Sequence, residues 1–316
     1  MTARGLARNL LRLAVTLLIV SFLSFLLINL LPGDPALQIV GLQYANEENV
    51  AQVREELGFD KPIVTRYADW LGDVVQGDLG TSYRSREPVR DSIVERLPVT
   101  VELLVLTQLV AILGALIIAP LAALRPRSWF DRGTTAGISA ALAIPPFTLG
   151  LGLIFMFAVT WQLFPATGYV HVSESITGNL RSMVLPTLTL ALVPLASYVQ
   201  VLRTEILDTM QEDYVTLAKS RGLSTRYVMT RHVLRPSSLS LITLLGINIG
   251  ALLGGAVIIE TIFSLPGIGR LTVDAIYNRD YILVQGTVLF ITIAFVVVNF
   301  AVDLLYASLD PRIRRT

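Results

Sequence analysis

Cysteine is missing from all 316 residues, so no disulfide can staple an external loop and no thiolate is available as nucleophile or metal ligand. Histidine is nearly missing too, with only His171 and His232 present. No Gly-x-x-x-x-Gly-Lys-Ser/Thr string occurs, so the chain has no phosphate cradle with which to hydrolyse ATP, and it also lacks His-Glu-x-x-His and Gly-x-Ser-x-Gly. No catalytic residue and no metal site is therefore expected, and energy for any work must come from a partner or a gradient. Charge is the other scarcity. Only 16% of the residues carry it, against about 25% in soluble domains. The balance of 25 basic to 24 acidic residues gives no sign of nucleic-acid binding.

Apolar sequence fills the space. Hydrophobic residues make up 53% of the chain, and uncharged runs cover residues 13–31, 103–124, 133–170, 182–202, 236–259 and 281–302. A bilayer core takes about 20 helical residues, so each run can span it. The run 133–170 approaches the length of two crossings, but Pro145 and Pro146 interrupt it. It reads as one helix broken or kinked there, followed by an interfacial stretch around Trp161, Phe164 and Tyr169. The expectation is an all-α membrane protein with six transmembrane helices. The first run is longer than the apolar core of a secretory signal and leads into Leu-Pro-Gly-Asp-Pro, not a small-residue cleavage site, so it is expected to stay as an anchor.

Lys and Arg in short loops set the orientation. The N-terminal segment, the loop 125–132, the segment 203–235 and the C-terminal segment hold 15, whereas the short loops opposite hold 3, at Arg181, Arg270 and Arg279. Both termini are expected in the cytoplasm and residues 32–98 outside, with His171 and His232 on opposite sides.

The external stretch carries helix signals: Asn46 to cap residues 47–57 with Gly58 ending them, Pro62 to open the turn toward Tyr67 and Trp70, and Pro88 to open residues 89–97. It is either a compact cap on the bundle or a surface that meets a soluble binding protein, and the two are compatible. Inside the spans, Glu102, Gln108, Asn248, Asn299 and Asp303 are costly in hydrocarbon and are expected to bond between helices. Gly246, Gly250, Gly254 and Gly255 stand at small-residue spacing that suits close helix contact.

Residues 213–236 form a polar, helix-forming island between two apolar runs. Its first half has an acidic start at Glu212 and Asp213, small residues at Ala218 and Ser220, and Gly222 where a helix C-terminus takes a left-handed residue. Ser224 is placed to cap a second helix and Pro236 to stop it. A short, slim helix of this kind can enter a groove on another protein. The alternative is a basic loop resting on anionic lipid.

The island's Asp213-Tyr214-Val215, Ala218-Lys219, Gly222-Leu223, His232 and Leu234-Arg235 do not stand alone. Leu30-Leu31-Pro32-Gly33-Asp34-Pro35, Gly77-Asp78-Leu79-Gly80, Glu95-Arg96-Leu97-Pro98, Ile144-Pro145-Pro146-Phe147 and Leu185-Pro186 precede or flank it. Leu253-Gly254-Gly255-Ala256-Val257, Glu260-Thr261-Ile262-Phe263, Pro266-Gly267-Ile268-Gly269-Arg270, Arg279-Asp280-Tyr281, Val302-Asp303-Leu304-Leu305-Tyr306 and Asp310-Pro311-Arg312 follow. In this order and spacing the chain resembles the membrane subunits of binding-protein-dependent ATP-binding-cassette importers, most closely the dipeptide and oligopeptide branch. Thr216 and Leu217 depart from the Glu and Ala of the wider superfamily.

The resemblance implies a type I importer permease fold, with residues 1–31 as N-terminus and first helix, 32–98 as a helical external loop, 99–306 as permease core containing the coupling loop 203–235, and 307–316 as a cytoplasmic tail. It implies a subunit of a bacterial inner membrane that forms half of a pathway for di- or oligopeptides. Its partners would be a homologous second permease, two cytoplasmic ATPase subunits, an extracytoplasmic binding protein and membrane lipid. No cofactor is implied in this chain, ATP and Mg belonging to the ATPases. Glu212, Asp213, Tyr214, Val215, Ala218, Lys219, Ser220 and Gly222 would couple to those ATPases. Substrate contacts are not legible. Nickel, glutathione and opines are alternative cargoes within the same class. A stand-alone channel or gradient-driven carrier is the rival from another class, but no inverted repeat supports it.

Overall fold

The computed structural model describes residues 3–29, 35–40, 46–56, 58 and 60–309. Among the described residues all regular structure is helical apart from one isolated bridge, Thr81 to Pro88. The chain divides into two compact units, one of Met1–Thr100, Pro266–Ala301 and Pro311–Thr316 and one of Val101–Leu265 and Val302–Asp310.

The first unit contains α1 (Ala3–Asn29), α2 (Pro35–Val40), α3 (Glu47–Glu56), α4 (Ile63–Val75), the beginning of α5 (Val89–Leu124), α12 (Ile268–Tyr277) and most of α13 (Tyr281–Leu309). Its boundaries follow local chemistry. The Asn46 Oδ1 accepts the Asn49 N–H at 2.6 Å to start α3, and Gly58 takes φ +60° after it. Leu57 and residues 30–34 lie outside the described residues. Pro62 precedes α4, whose Tyr67 hydroxyl donates to the Leu18 carbonyl at 3.2 Å and pairs with the Ser21 hydroxyl at 2.7 Å. Phe22, Phe25, Tyr67 and Trp70 stack with ring centroids 5.1 to 6.0 Å apart, so aromatic burial fastens α4 along α1. A core of Val89, Ile93, Ile268, Leu271, Ala275 and Leu283 joins α5, α12 and α13. Ser82 donates to the buried Asp280 carboxylate, which also accepts the Leu283 N–H at 3.2 Å and so caps α13.

In the second unit α5 continues, followed by α6 (Trp129–Ala143), α7 (Pro146–Leu153) with a π-helical extension Ile154–Thr160, α8 (Ile176–Thr209), α9 (Asp213–Ser220), α10 (Thr225–Val228), a π-helical turn Met229–Val233 and α11 (Leu234–Ile262). Ala111, Ala115, Ala119 and Ala123 stand one turn apart on α5, each fully buried against a core that includes Tyr198, Leu202 and Ile206 of α8. Side chains this small let helix backbones approach closely.

Two sequence expectations are corrected here. Pro88 does open a helix, but that helix does not end at Leu97; it runs through Pro98 for 36 residues to Leu124. Val89, Ile93, Val99 and Leu103 are all buried at helical spacing on both sides of the proline, and this continuous packing outweighs one lost backbone bond. Pro236 likewise fails to stop the second island helix: the chain stays helical from α10 through the π-helical turn Met229–Val233 into α11, with Pro236 inside that continuous helix.

The break expected at Pro145 and Pro146 is present. Ile144 is extended at φ −88° and ψ 125°, as a residue before proline prefers, and the two helices meet at 108°. Among the described residues, four helices are long and apolar enough to cross a membrane, within Val89–Leu124, Ile176–Thr209, Leu244–Ile262 and Tyr281–Val302, and the bent pair Trp129–Ala143 with Pro146–Thr160 makes a fifth if it is one span. Leu13–Leu26 is a shorter apolar helix.

Candidate docking site in the polar island

The island begins where α8 ends at Thr209, and Glu212 adopts the extended conformation (φ −66°, ψ 144°) that lets Asp213 start α9. Asp213 lies in the first turn and Lys219 in the last, each on the side that the helix dipole favours. The end of α9 is closed by two bonds: the Gly222 N–H donates to the Lys219 carbonyl at 3.0 Å and the Leu223 N–H to the Ala218 carbonyl at 3.4 Å. This crossed pair requires a left-handed residue between them, and Gly222 supplies φ +80°. Ser224 then accepts the Tyr227 N–H at 3.4 Å and starts α10.

Val215 and Ala218 are buried, and both belong to the core that contains Val228, Met229, Val233, Ile206 and Leu241. They are three residues apart, so they share the inner face of α9. The structure thus places these two residues of the expected coupling set against their own chain. Glu212, Asp213, Tyr214, Lys219, Ser220 and Gly222 are exposed, and together they border the outer surface of the segment. Leu217 (53% exposed), Leu223 (39%) and Tyr227 (49%) join that surface. Sequence reading passed over these three; the available signal was that Tyr214 and Leu217 are apolar positions that fall off the Val215 and Ala218 stripe. A solvent-facing set of two tyrosines and two leucines on two short helices and the turn between them is an unusual use of a polar loop.

The π-helical turn leads from α10 into α11 without a break, and its Val233 is fully buried. Just beyond it, the buried Ser237 hydroxyl bonds to the Val233 carbonyl at 2.9 Å, the Glu205 carbonyl at 3.2 Å and the Thr209 hydroxyl at 3.1 Å. The Ser240 hydroxyl donates to the Glu205 carboxylate at 2.8 Å. Both ends of the island are therefore fixed to the last turns of α8 and the first turns of α11.

Arg203 was counted among the cytoplasmic charges of the island, yet it sits within α8 and makes a two-pronged bond to Asp131 of α6, Nε to Oδ1 at 2.6 Å and Nη2 to Oδ2 at 2.9 Å. Asp131 is buried and also accepts the Arg127 N–H at 2.8 Å. This pair was not picked out from the sequence, because nothing local marks two charges 72 positions apart as partners.

Polar groups within the helices are divided. Gln108 accepts the Tyr198 hydroxyl at 3.0 Å across α5 and α8, and Glu102 accepts the Tyr169 hydroxyl at 2.6 Å. Burial, and then the Glu102 carboxylate that accepts its hydrogen bond, push the Tyr169 phenol up to about 12. Asn248 bonds to the Leu244 carbonyl of its own helix and also to the Tyr198 side chain of α8, whereas Asn299 bonds to the Phe295 carbonyl of its own helix. The Asp303 side chain lies outside the described residues. A Cβ on Gly246 would collide with the Val302 side chain, and one on Gly255 would lie 3.1 Å from Leu190, so these two glycines do allow close helix contact, whereas Gly254 faces open space.

Comparison with known proteins gives these features a context. A family model described as "Binding-protein-dependent transport system inner membrane component" matches residues 111–315, and the corresponding N-terminal model matches residues 2–104. A protein of Brucella abortus that bears the name of a peptide transport system permease is 42% identical over 298 residues, covering 94% of this chain and 95% of its own. A protein of Sinorhizobium fredii named for peptide ABC transport is 35% identical over 307 residues, 97% and 98% of the two chains. A glutathione transport system permease of Salmonella typhimurium is 36% identical over 308 residues, 97% of each.

Proposed function

The chain belongs to the binding-protein-dependent transport system inner membrane component family, and from that premise we propose that it forms half of an ATP-driven pathway for di- or oligopeptides. As a member of that family it is a multi-pass inner-membrane permease subunit of an importer. The proposed partners are a homologous second permease, two cytoplasmic ATPase subunits that hold ATP and Mg, and an extracytoplasmic binding protein. Both termini and the island lie in the cytoplasm in this reading, supported by the 15 to 3 asymmetry of basic residues. Two relatives named for peptides support the cargo class. Glutathione, itself a short peptide, is the second reading, favoured by the 36% identical relative named for it.

The observation that carries the proposal is the construction of the island. Its outward apolar residues stand on α9, on α10 and on the turn between them, the inner face of α9 is packed into the core beside α10, and α10 leads through the π-helical turn into α11. A push on α9 is therefore passed on to a spanning helix instead of being absorbed by a slack loop. Loaded binding protein and ATP would bias the two states of the pathway unequally, which is what a ligand must do to shift a conformational equilibrium.

The test uses the complete transporter in proteoliposomes. Leu217→Glu places a charge on the outward patch without touching the core, and Gly222→Val forces a branched residue to φ +80°, at a local cost of about 1 kcal/mol or more. Both variants are expected to insert normally but to lose bound ATPase on purification and to reduce uptake at least tenfold. Normal ATPase retention and uptake in both would overturn the assignment of α9 as the coupling element.

A further inference from the structure

A cleft of about 550 Å³ opens along α6 in the second unit, between it and α8, with Ile118 of α5 also lining it. Its lining is apolar except for Thr134, and two glycines, Gly133 and Gly137, form part of its wall. A Cβ built on either glycine would meet nothing within 4 Å, so neither is there to admit another helix of this chain. They leave open volume. The cleft runs from Trp129, 91% exposed, to Ala141. That interval is about 18 Å of helix at 1.5 Å per residue, close to one leaflet's share of a hydrocarbon core about 30 Å thick. Beyond it the chain bends by 108° and the straight wall ends. A spanning helix of a neighbour would need a wall about twice as long.

The charge at one end identifies the occupant. Arg125, Arg127 and Arg132 are all exposed and lie in the turn before α6 and in its first turn. The only carboxylate in that turn of helix, Asp131, is already engaged by Arg203 and by the Arg127 N–H. We propose that the cleft seats one acyl chain of an anionic phospholipid of the cytoplasmic leaflet, with its phosphate held among these three arginines and Trp129 at the interface. The assignment to that leaflet rests on the orientation given under the proposed function.

The complex can be tested with Trp129 as the sole tryptophan, after Trp70→Phe and Trp161→Phe, in mixed micelles containing phosphatidylglycerol or phosphatidylcholine brominated on the acyl chain. Phosphatidylglycerol is expected to quench Trp129 at a much lower mole fraction than phosphatidylcholine. Arg125→Gln and Arg132→Gln should each raise the half-quenching fraction about fivefold, and Gly137→Leu, which fills the cleft, should remove the preference. Equal quenching by both lipids, unchanged by Gly137→Leu, would overturn the proposal in favour of ordinary bulk lipid. Absence of quenching by either would overturn it in favour of a covering protein subunit. Sidedness of a cysteine at Arg226, read separately by impermeant labelling, tells a failure of the orientation from a failure of the lipid site.

Discussion

Removing Arg203 would leave the Asp131 carboxylate without a counterpart in a buried position, which costs about 3 to 5 kcal/mol, whereas removing Asp131 strands a guanidinium that is 23% exposed and costs less. Asp131→Asn is therefore expected to lower the thermal midpoint of the purified complex more than any substitution on the exposed face of α9. Arg203→Lys should recover little of the loss, because an ammonium cannot reproduce the two parallel bonds at 2.6 and 2.9 Å. A thermal shift series on the two variants checks both outcomes; equal midpoints for wild type and Asp131→Asn would show the pair to be energetically idle. Residues of this kind were the least legible in the sequence. Gly222, Ser224 and Asn46 were readable because a cap or a left-handed turn is a property of a few consecutive residues. Arg203 and Asp131 meet only once α6 and α8 have packed, and the burial of Val215 and Ala218 depends likewise on what α10 brings against them.

Elements show the same division between local and tertiary causes. The bend at Ile144 could be read in advance since proline restricts its predecessor wherever it stands. The continuity of α5 through Pro98 and the passage of α10 into α11 past Pro236 could not, because there packing on both sides decides against the local breaker. The π-helical turn Met229–Val233 carries one residue more than a regular turn would, and the widened turn takes it up while the helix on either side keeps its phase. Deleting Thr230 should therefore close the turn to the regular period and leave Val228 and Met229 in the core. The expected result is an inserted chain that keeps its ATPase, with hydrogen exchange across α9 equal to wild type. Loss of ATPase and faster exchange would show that the extra residue aims the segment.

At the scale of the whole molecule, all-helical character and several apolar spans were legible from composition and run length alone. The number of crossings was not, because the 133–170 run folds into two helices at 108° and length cannot say whether they cross together or return. Cysteines at Arg132 and Gln162 are expected to label from opposite sides of the membrane, with Arg226 on the same side as Arg132. Labelling of Arg132 and Gln162 from one side would make the bent pair a re-entrant element and reduce the crossings by one.

The four alanines of α5 bring a different consequence. Ala111, Ala115, Ala119 and Ala123 present the core with a column of methyl groups that has no side chain long enough to interlock with the facing surface. Interdigitated cores resist displacement because each side chain must leave one well and climb into another. A methyl column lowers that barrier, and what remains to hold α8 in register on α5 is a few contacts, the Tyr198 to Gln108 hydrogen bond and Leu195 seated against Gly114. The seam would then work as a latch with few teeth, where force delivered to α9 has a small number of contacts to release and no long interdigitated face to repack.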